Sequence, residues 1–119
     1  MAATREDATL LVELAKLGTM MDYGPAARAV FADDFDPDTA DVGDPAVQTL
    51  LVFFETVGTL VKNGLFDRDL TYDWLWASGV WAKVGPAAER AREKAGVPQL
   101  YENFEALAAG QRLGAAATA

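Results

Sequence analysis

Carboxylates and aromatic rings are the side chains with which this chain could do chemistry. Its 119 residues include 18 acidic and 10 basic side chains, for a formal net charge of −8, and neither Cys nor His occurs. Without these two types there is no thiolate or imidazole metal ligand, no cysteine nucleophile and no His-dependent catalytic triad. We therefore expect no cofactor and no dedicated metal site. General acid–base catalysis by carboxylates, Lys or Tyr stays open, but no acidic pair is diagnostic of it.

The densest group of carboxylates lies in residues 33–44, where six aspartates accompany a Pro and a Gly. From Asp34 onward, aspartates occupy the first, third and fifth positions of a calcium-binding loop. Thr39 then stands where that loop needs Gly, and Pro45 stands where it needs a bidentate Glu. The segment is therefore predicted to be a solvated acidic loop between helices, with a looser divalent-cation site as the alternative.

A second group of ionisable side chains is spread over three predicted helices and consists of Glu55, Arg90, Arg92 and Glu105. These side chains converge if the third, fifth and sixth predicted helices pack together. A carboxylate beside an arginine then forms either a structural ion pair or part of a pocket for a polar ligand.

The aromatic residues of the fourth predicted helix form a third group. Trp74 and Trp81 share one helix face, whereas Trp76 is rotated away from it. One side of this helix should face the core. Packing of all three tryptophans in the core is the first interpretation. In the alternatives the other side, with Tyr72 and Trp76, contacts a second subunit or lines a pocket, because aromatic residues are enriched at interfaces.

Helical periodicity predicts the elements that position these residues: a single compact all-α bundle of five to six helices with short turns. A capping box at Thr4 starts the first helix, from Arg5 to Met21, and the second runs from Pro25 to about Asp33. The third, from Pro45 to Asn63, is apolar on most sides and is expected to be central. Gly58 within it predicts the close approach of a neighbouring helix.

The second half of the chain is predicted to contain three helices. The fourth starts after Asp67, and its apolar positions recur at helical spacing as far as Val84. Gly85-Pro86 opens the fifth, which ends at Gly96, and Val97-Pro98 opens the sixth, which ends at Gly110. Residues 1–110 thus form one predicted helical domain, followed by a flexible Ala/Gly-rich tail at 111–119.

The distribution of apolar and charged residues indicates a soluble, cytoplasmic protein. The longest uninterrupted apolar run, Leu50 to Phe54, is far shorter than the roughly 20 residues of a membrane-spanning helix. The first residues carry acids where a secretory signal carries a basic end. The negative net charge also argues against direct binding of nucleic acid, which needs clustered Lys and Arg.

Three motifs between Asp44 and Ala108 have a familiar order: Phe53–Glu55, Asn63–Asp67 and Tyr101–Glu105. In these the chain resembles a bacterial family of helical domains of unknown function. Members of that family show an aromatic-Glu helix, a Gly-Leu-aromatic-Asp turn and a terminal Tyr-x-x-Phe-Glu helix. The resemblance implies a helical fold and implies no activity.

Three functions are compatible with these observations. The wide apolar coverage of the third and fourth predicted helices favours a non-enzymatic protein-interaction module that self-associates into a homo-oligomer, with a further protein partner possible. The alternative is a small-molecule-binding domain or minimal enzyme with a pocket between predicted helices three, four and six. Its lining would be Glu55, Tyr72, Trp76, Arg90 and Tyr101.

A further alternative is an acidic decoy that occupies a nucleic-acid-binding protein, as the charge of −8 suggests. A mimic of the phosphate backbone would, however, spread its carboxylates along one face. Here six of the 18 acids are concentrated in a single loop.

Overall fold

Six α-helices and the segments between them make up the fold. The computed structural model describes residues 2–118, with side chains to residue 114, and this part of the chain contains no strand. The helices are Arg5–Met20 (α1), Tyr23–Val30 (α2), Pro45–Lys62 (α3), Arg68–Trp74 (α4), Ala77–Ala95 (α5) and Glu102–Thr118 (α6). The predicted all-α single domain is confirmed.

Helix α3 is the centre of the molecule and packs against α2, α5 and α6. The Asp44 carboxylate fixes its start by accepting a hydrogen bond from the Ala46 N–H at 2.9 Å, and Pro45 occupies the first helical position. Its buried residues are Val47, Leu50, Leu51, Phe53, Phe54, Val57, Gly58 and Val61. The predicted central position of this helix is confirmed.

Aromatic contacts join α3 to α5 and α6. Phe54 of α3 stacks on Phe104 of α6, with ring centres 4.6 Å apart and planes 13° from parallel. Trp81 of α5 meets the same Phe104 ring edge-on, with the ring centres 4.9 Å apart. Each such pair contributes about 0.5–1.5 kcal/mol beyond the apolar area it buries, so the three helices share one well-fixed aromatic core.

Helices α1 and α2 are separated by a tight turn. The predicted capping box at Thr4 is confirmed, because the Thr4 hydroxyl accepts from the Asp7 N–H and the Asp7 carboxylate accepts from the Thr4 N–H. The predicted start of α2 at Pro25 is wrong, since the helix begins at Tyr23. Pro25 is tolerated as the third helical residue because the N–H groups of a first turn have no partner within the helix.

The predicted fourth helix is in fact two helices. The chain becomes extended at Leu75, with φ −122° and ψ 137°, and α5 starts afresh at Ala77. Hydrophobic periodicity does not reveal this break, because the apolar residues Trp74, Ala77 and Trp81 keep helical spacing across it.

Helix α5 passes through Pro86, so the predicted helix start at Gly85-Pro86 is also wrong. Within a helix, a proline lacks one backbone hydrogen bond and crowds the carbonyl group four residues earlier. Its ring also clashes with the Cβ of the preceding residue, and this clash is absent here because Gly85 has no Cβ. Val84 and Ala88, on either side of the proline, are fully buried. This burial holds the helix together across a residue that would otherwise interrupt it. The predicted stop at Gly96 is confirmed by its left-handed φ of 69°.

Helix α6 begins at Glu102, after a turn over residues 98–101, and not at Pro98 as predicted. It continues to Thr118, so the predicted helix end at Gly110 is wrong as well. The flexibility of residues 111–119 stays a prediction, and Ala119 lies outside the described residues. No helix among residues 2–118 has the length and apolarity needed to cross a membrane.

Candidate functional site

The five residues predicted to line a pocket do not converge on one site. The carboxylate of Glu55, a residue of α3, reaches the start of α6, and Tyr101 immediately precedes that helix. Tyr72 contacts the middle of α6. Trp76 lies at the start of α5, and Arg90 donates a hydrogen bond to a carbonyl oxygen of the acidic loop. The five side chains therefore have separate surroundings.

Glu55 of α3 caps the N-terminus of α6. Its carboxylate accepts hydrogen bonds from the backbone N–H groups of Asn103 and Phe104, both at 3.0 Å, and from the Asn103 side-chain amide at 2.8 Å. These backbone groups have no acceptor within the helix, and the positive end of the helix dipole favours a carboxylate there. Glu55 thus has a structural role, and the predicted pocket role finds no support in its contacts.

Gly58, one turn further along α3, lets α6 approach closely. A Cβ added at Gly58 would lie 2.5 Å from the carbonyl oxygen of Asn103, which is far inside van der Waals contact. The close approach predicted for this glycine is confirmed. Just before α6, Tyr101 adopts a left-handed φ of 61°, a conformation rare for a bulky side chain, so the chain is held in a strained turn at this junction.

Tyr72 of α4 is fixed against α6. Its hydroxyl donates a hydrogen bond to the Leu107 carbonyl oxygen at 2.9 Å, and burial raises the pKa of the phenol above its usual value of 10.0. The cleft between α3, α4 and α6 holds only about 100 Å³ and is lined by Tyr72 but by none of the other four predicted residues. Ligand pockets usually hold about 300–1,000 Å³, so this cleft does not support the small-molecule alternative.

The two arginines of α5 bind different partners. The Arg90 guanidinium donates to the carbonyl oxygens of Pro37 and Ala40, which ties the acidic loop to α5. The Arg92 guanidinium forms an ion pair with Glu105 at 3.0 Å and also donates to the Leu100 carbonyl oxygen. Of the two interpretations of the charged group, the structural ion pair describes Arg92 and Glu105.

The acidic loop presents its carboxylates without a metal-binding arrangement. Asp36, Asp41 and Asp44 each accept a hydrogen bond from a backbone N–H two residues further along the chain. Asp33 and Asp34 are exposed. Nowhere in the described part of the chain do three or more acidic residues form a group that could hold a metal ion.

Trp76, at the start of α5, is a largely exposed aromatic side chain that lies parallel to Phe31. The ring centres are 5.7 Å apart and the planes differ by 9°, while 63% of Trp76 and 39% of Phe31 are exposed. The Lys83 ammonium lies 5.8 Å from the centre of the Phe31 ring. We call the pair Phe31 and Trp76 the aromatic platform.

A buried glycine of α5 seats the aromatic platform. A Cβ at Gly79 would lie closer to three carbons of the Trp76 indole than real Cβ atoms come to their neighbours. Only glycine therefore lets the indole lie across the first turn of α5. A glycine within a helix costs about 1 kcal/mol relative to alanine.

The residue at the start of α5 is also unusual for its position. Trp76 is the N-cap residue but makes no side-chain capping bond. Gln111 of α6 does this instead, because its amide oxygen accepts from the Ser78 N–H at 2.8 Å and its amide nitrogen donates to the Leu75 carbonyl oxygen at 3.0 Å. The break between α4 and α5 is thereby stabilised while Trp76 stays at the surface.

The first interpretation from the sequence, that all three tryptophans pack in the core, is wrong for Trp76, which is 63% exposed. Its partner Phe31 was missed. The one available signal was Gly79, three residues after an exposed tryptophan. Gln111 was missed because it lies in a low-complexity segment, where a single amide carries no pattern.

A family model described as a domain of unknown function, DUF4760, matches residues 1–111. The chain belongs to this family. The resemblance inferred from the sequence motifs is thus confirmed, and the DUF4760 match extends through the first two helices and the acidic loop to Gln111. No curated protein and no solved structure matches the chain.

The structure gives two of the three motifs a shared role in this DUF4760 domain. The Phe53–Glu55 motif supplies the Phe54 ring and the Glu55 carboxylate, and the Tyr101–Glu105 motif supplies the Phe104 ring and the backbone donors that meet them. These motifs therefore describe the junction between α3 and α6.

Proposed function

We propose that this DUF4760 domain is a non-enzymatic protein-interaction module that contacts its partner through the aromatic platform. The observation that carries the proposal is the pairing of Gly79 with Trp76. A glycine that weakens its own helix makes room for a tryptophan that remains 63% exposed. Tryptophan is the residue type most enriched among the side chains that dominate binding energy at protein interfaces.

The fate of the other candidate residues supports an interaction role over an enzymatic one. Glu55 is fully engaged in capping α6, Arg92 is paired with Glu105, and Arg90 binds loop carbonyls. General acid–base catalysis needs a group that can reach a substrate, and these groups are directed at the protein itself. The platform leaves a large aromatic side chain exposed, although the glycine that makes room for it weakens its own helix.

The sequence predicts a second copy of the chain as the partner, with a further protein partner as the alternative, and the proposal that the platform is a contact surface holds for either. The cytoplasm is the location that we propose, because a reducing compartment suits a chain without cysteine. Whether the partner is a second copy or another protein, the platform should form the centre of the contact, where water is excluded from the rings.

Variants of the platform test this function. Trp76→Ala should abolish self-association in sedimentation velocity, or capture of a partner by the immobilised protein, while the fold is retained. Leu65→Ala is the matched control, because Leu65 is a similarly exposed apolar side chain, at 64%. Association that is equally strong in both variants, or absent from the wild-type protein in both assays, would refute the proposal.

A further inference from the structure

We infer that the aromatic platform binds an arginine-bearing basic protein segment and not a second copy of this chain. The inference rests on the proposed function and specifies the partner. It comes from the combination of the exposed Trp76 indole with the unpaired carboxylates that follow its stacking partner Phe31 in the chain.

The carboxylates next to the platform carry uncompensated negative charge. Asp33 and Asp34 are separated from Phe31 in the chain by one alanine, and both are exposed. None of the ion pairs formed within residues 2–114 involves an aspartate of the acidic loop. Arg90 binds the loop only through the carbonyl oxygens of Pro37 and Ala40, and therefore neutralises no carboxylate directly.

The indole of Trp76 is the best acceptor for a cation among the aromatic side chains. A guanidinium is planar and weakly hydrated, so it stacks on an aromatic face while its N–H groups remain free to bind carboxylates. The core of this protein already contains such a contact, since the Arg92 guanidinium lies 5.8 Å from the centre of the Trp81 ring. The one cation at the platform, among the described side chains, is Lys83, which lies over Phe31 and leaves Trp76 exposed.

Charge disfavours a second copy as the occupant. Each chain has a formal net charge of −8, and a symmetric contact between two platforms would bring two sets of Asp33 and Asp34 together. Like charges brought together at an interface oppose association, whereas a positive segment is attracted before contact. A partner with several arginines satisfies both the ring and the carboxylates.

The experiment titrates the full chain with a short synthetic peptide of glycine, serine and three arginines at low ionic strength. Two matched peptides carry lysines or glutamates in place of the arginines. The readout is the set of indole N–H signals of the three tryptophans in nuclear magnetic resonance spectra. We expect the arginine peptide to shift the Trp76 signal saturably, the lysine peptide to bind about fivefold more weakly, and the glutamate peptide not to bind.

Variants separate the platform from general charge. Trp76→Ala and Phe31→Ala should each remove binding, whereas Leu65→Ala should not. The double variant Asp33→Asn with Asp34→Asn should weaken binding about fivefold. Glu6→Gln with Asp69→Asn changes the net charge equally, in the trough beside the start of α1, and should have a much smaller effect.

Three results would overturn the inference: no shift of the Trp76 signal, equal binding of the arginine and lysine peptides, or equal losses in the two charge variants. Sedimentation of the same samples separates this failure from that of the proposed function. A dimer that depends on Trp76 without peptide binding refutes the basic partner and retains the interaction module. If neither a dimer nor binding depends on Trp76, both proposals are refuted.

Discussion

The hydroxyl oxygen of Tyr72 stands 2.5 Å from the position that a Cβ at Gly110 would occupy. The next atom of that ring, Cζ, is 3.8 Å from the same position, which is ordinary van der Waals contact. One hydroxyl of α4 therefore decides that residue 110 of α6 has no side chain. This arrangement lets two substitutions be tested against each other.

Gly110→Ala should destabilise the wild-type protein by about 1–3 kcal/mol, because the added methyl group displaces the Tyr72 hydroxyl from its bond to Leu107. In the Tyr72→Phe background the same substitution should be neutral or stabilising, by up to about 1 kcal/mol of helix propensity. Urea unfolding of the four proteins in this double-mutant cycle measures the effect. A loss that is the same in both backgrounds would contradict the geometry.

Gly58→Ala should destabilise the protein by about 1–3 kcal/mol, because the clashing atom is the rigid backbone carbonyl of Asn103 and neither helix can yield without unpacking. Gly114→Ala in α6 is the matched control, since none of the described atoms lies within 4 Å of the position of an added Cβ there. That control should be neutral or slightly stabilising. Thermal unfolding of both variants checks the difference, and a stable Gly58→Ala variant would argue against the close approach.

Glu55→Ala should cost about 2 kcal/mol and Glu55→Gln about 1 kcal/mol, because both weaken the cap of α6 and only glutamine keeps an acceptor oxygen. Glu102→Gln is the control: its carboxylate lies 3.9 Å from Lys62 at the surface, and such pairs contribute little. Equal stabilities of the Glu55 variants and the wild-type protein would remove Glu55 from the structural role assigned to it.

Asp7 gives the protein a pH-dependent link between α1 and α4. Its carboxylate accepts hydrogen bonds from the Thr4 backbone N–H and from the Asp67 backbone N–H at 3.0 Å. The bond from the Thr4 backbone is the main cause that lowers the pKa of Asp7 below its usual 3.8, against an opposing effect of desolvation. A lowered folded-state pKa stabilises the protein above the unfolded-state value, and this stabilisation is lost as the pH falls through the folded-state value.

Asp7→Asn should therefore be less stable than the wild-type protein at neutral pH. The difference should shrink as the pH falls below about 4 and vanish once Asp7 is protonated in both states. Urea unfolding between pH 7 and pH 2 measures it. Glu6→Gln, in the same helical turn, is the control and should show a smaller dependence. A gap between Asp7→Asn and wild type that is constant with pH would contradict the assigned cause.

Gly79→Ala should separate stability from the exposed surface. The added Cβ forces the Trp76 ring away from α5, but the ring can swing into solvent, and alanine recovers about 1 kcal/mol of helix propensity. Unfolding free energy should therefore change by less than about 1 kcal/mol, while one of the three tryptophan indole N–H signals moves strongly. A variant that keeps all three indole signals in place would show that Gly79 does not seat the ring.

The sequence was most informative where capping residues and apolar spacing agreed. Thr4, Asp44 and Gly96 marked helix ends at or within a residue of where the structure has them, because each cap is a local interaction. It was misleading at Leu75 and at Pro86, where contacts with distant helices decide whether the chain stays helical. Local signals cannot report such contacts.

The candidate site shows the same division. Helical spacing separated Trp76 from the face of Trp74 and Trp81 but did not decide its exposure, and the five-residue pocket required helices three, four and six to converge as predicted. The break at Leu75 turned Trp76 to another part of the surface, and Glu55 was used by the start of α6. Only the relation of Gly79 to Trp76 could have indicated the platform beforehand.

Two helices of this protein borrow their N-terminal caps from elsewhere in the chain. Helix α6 takes the Glu55 carboxylate of α3, and α5 takes the Gln111 amide of α6. Neither start is completed by its own neighbours in sequence, so an excised peptide of α5 or α6 would be a poor helix in water. Loss of α3 packing would release α6, and with it the cap of α5. The three helices should consequently melt as one cooperative unit, because an intermediate that retains only the C-terminal half lacks the Glu55 cap of α6.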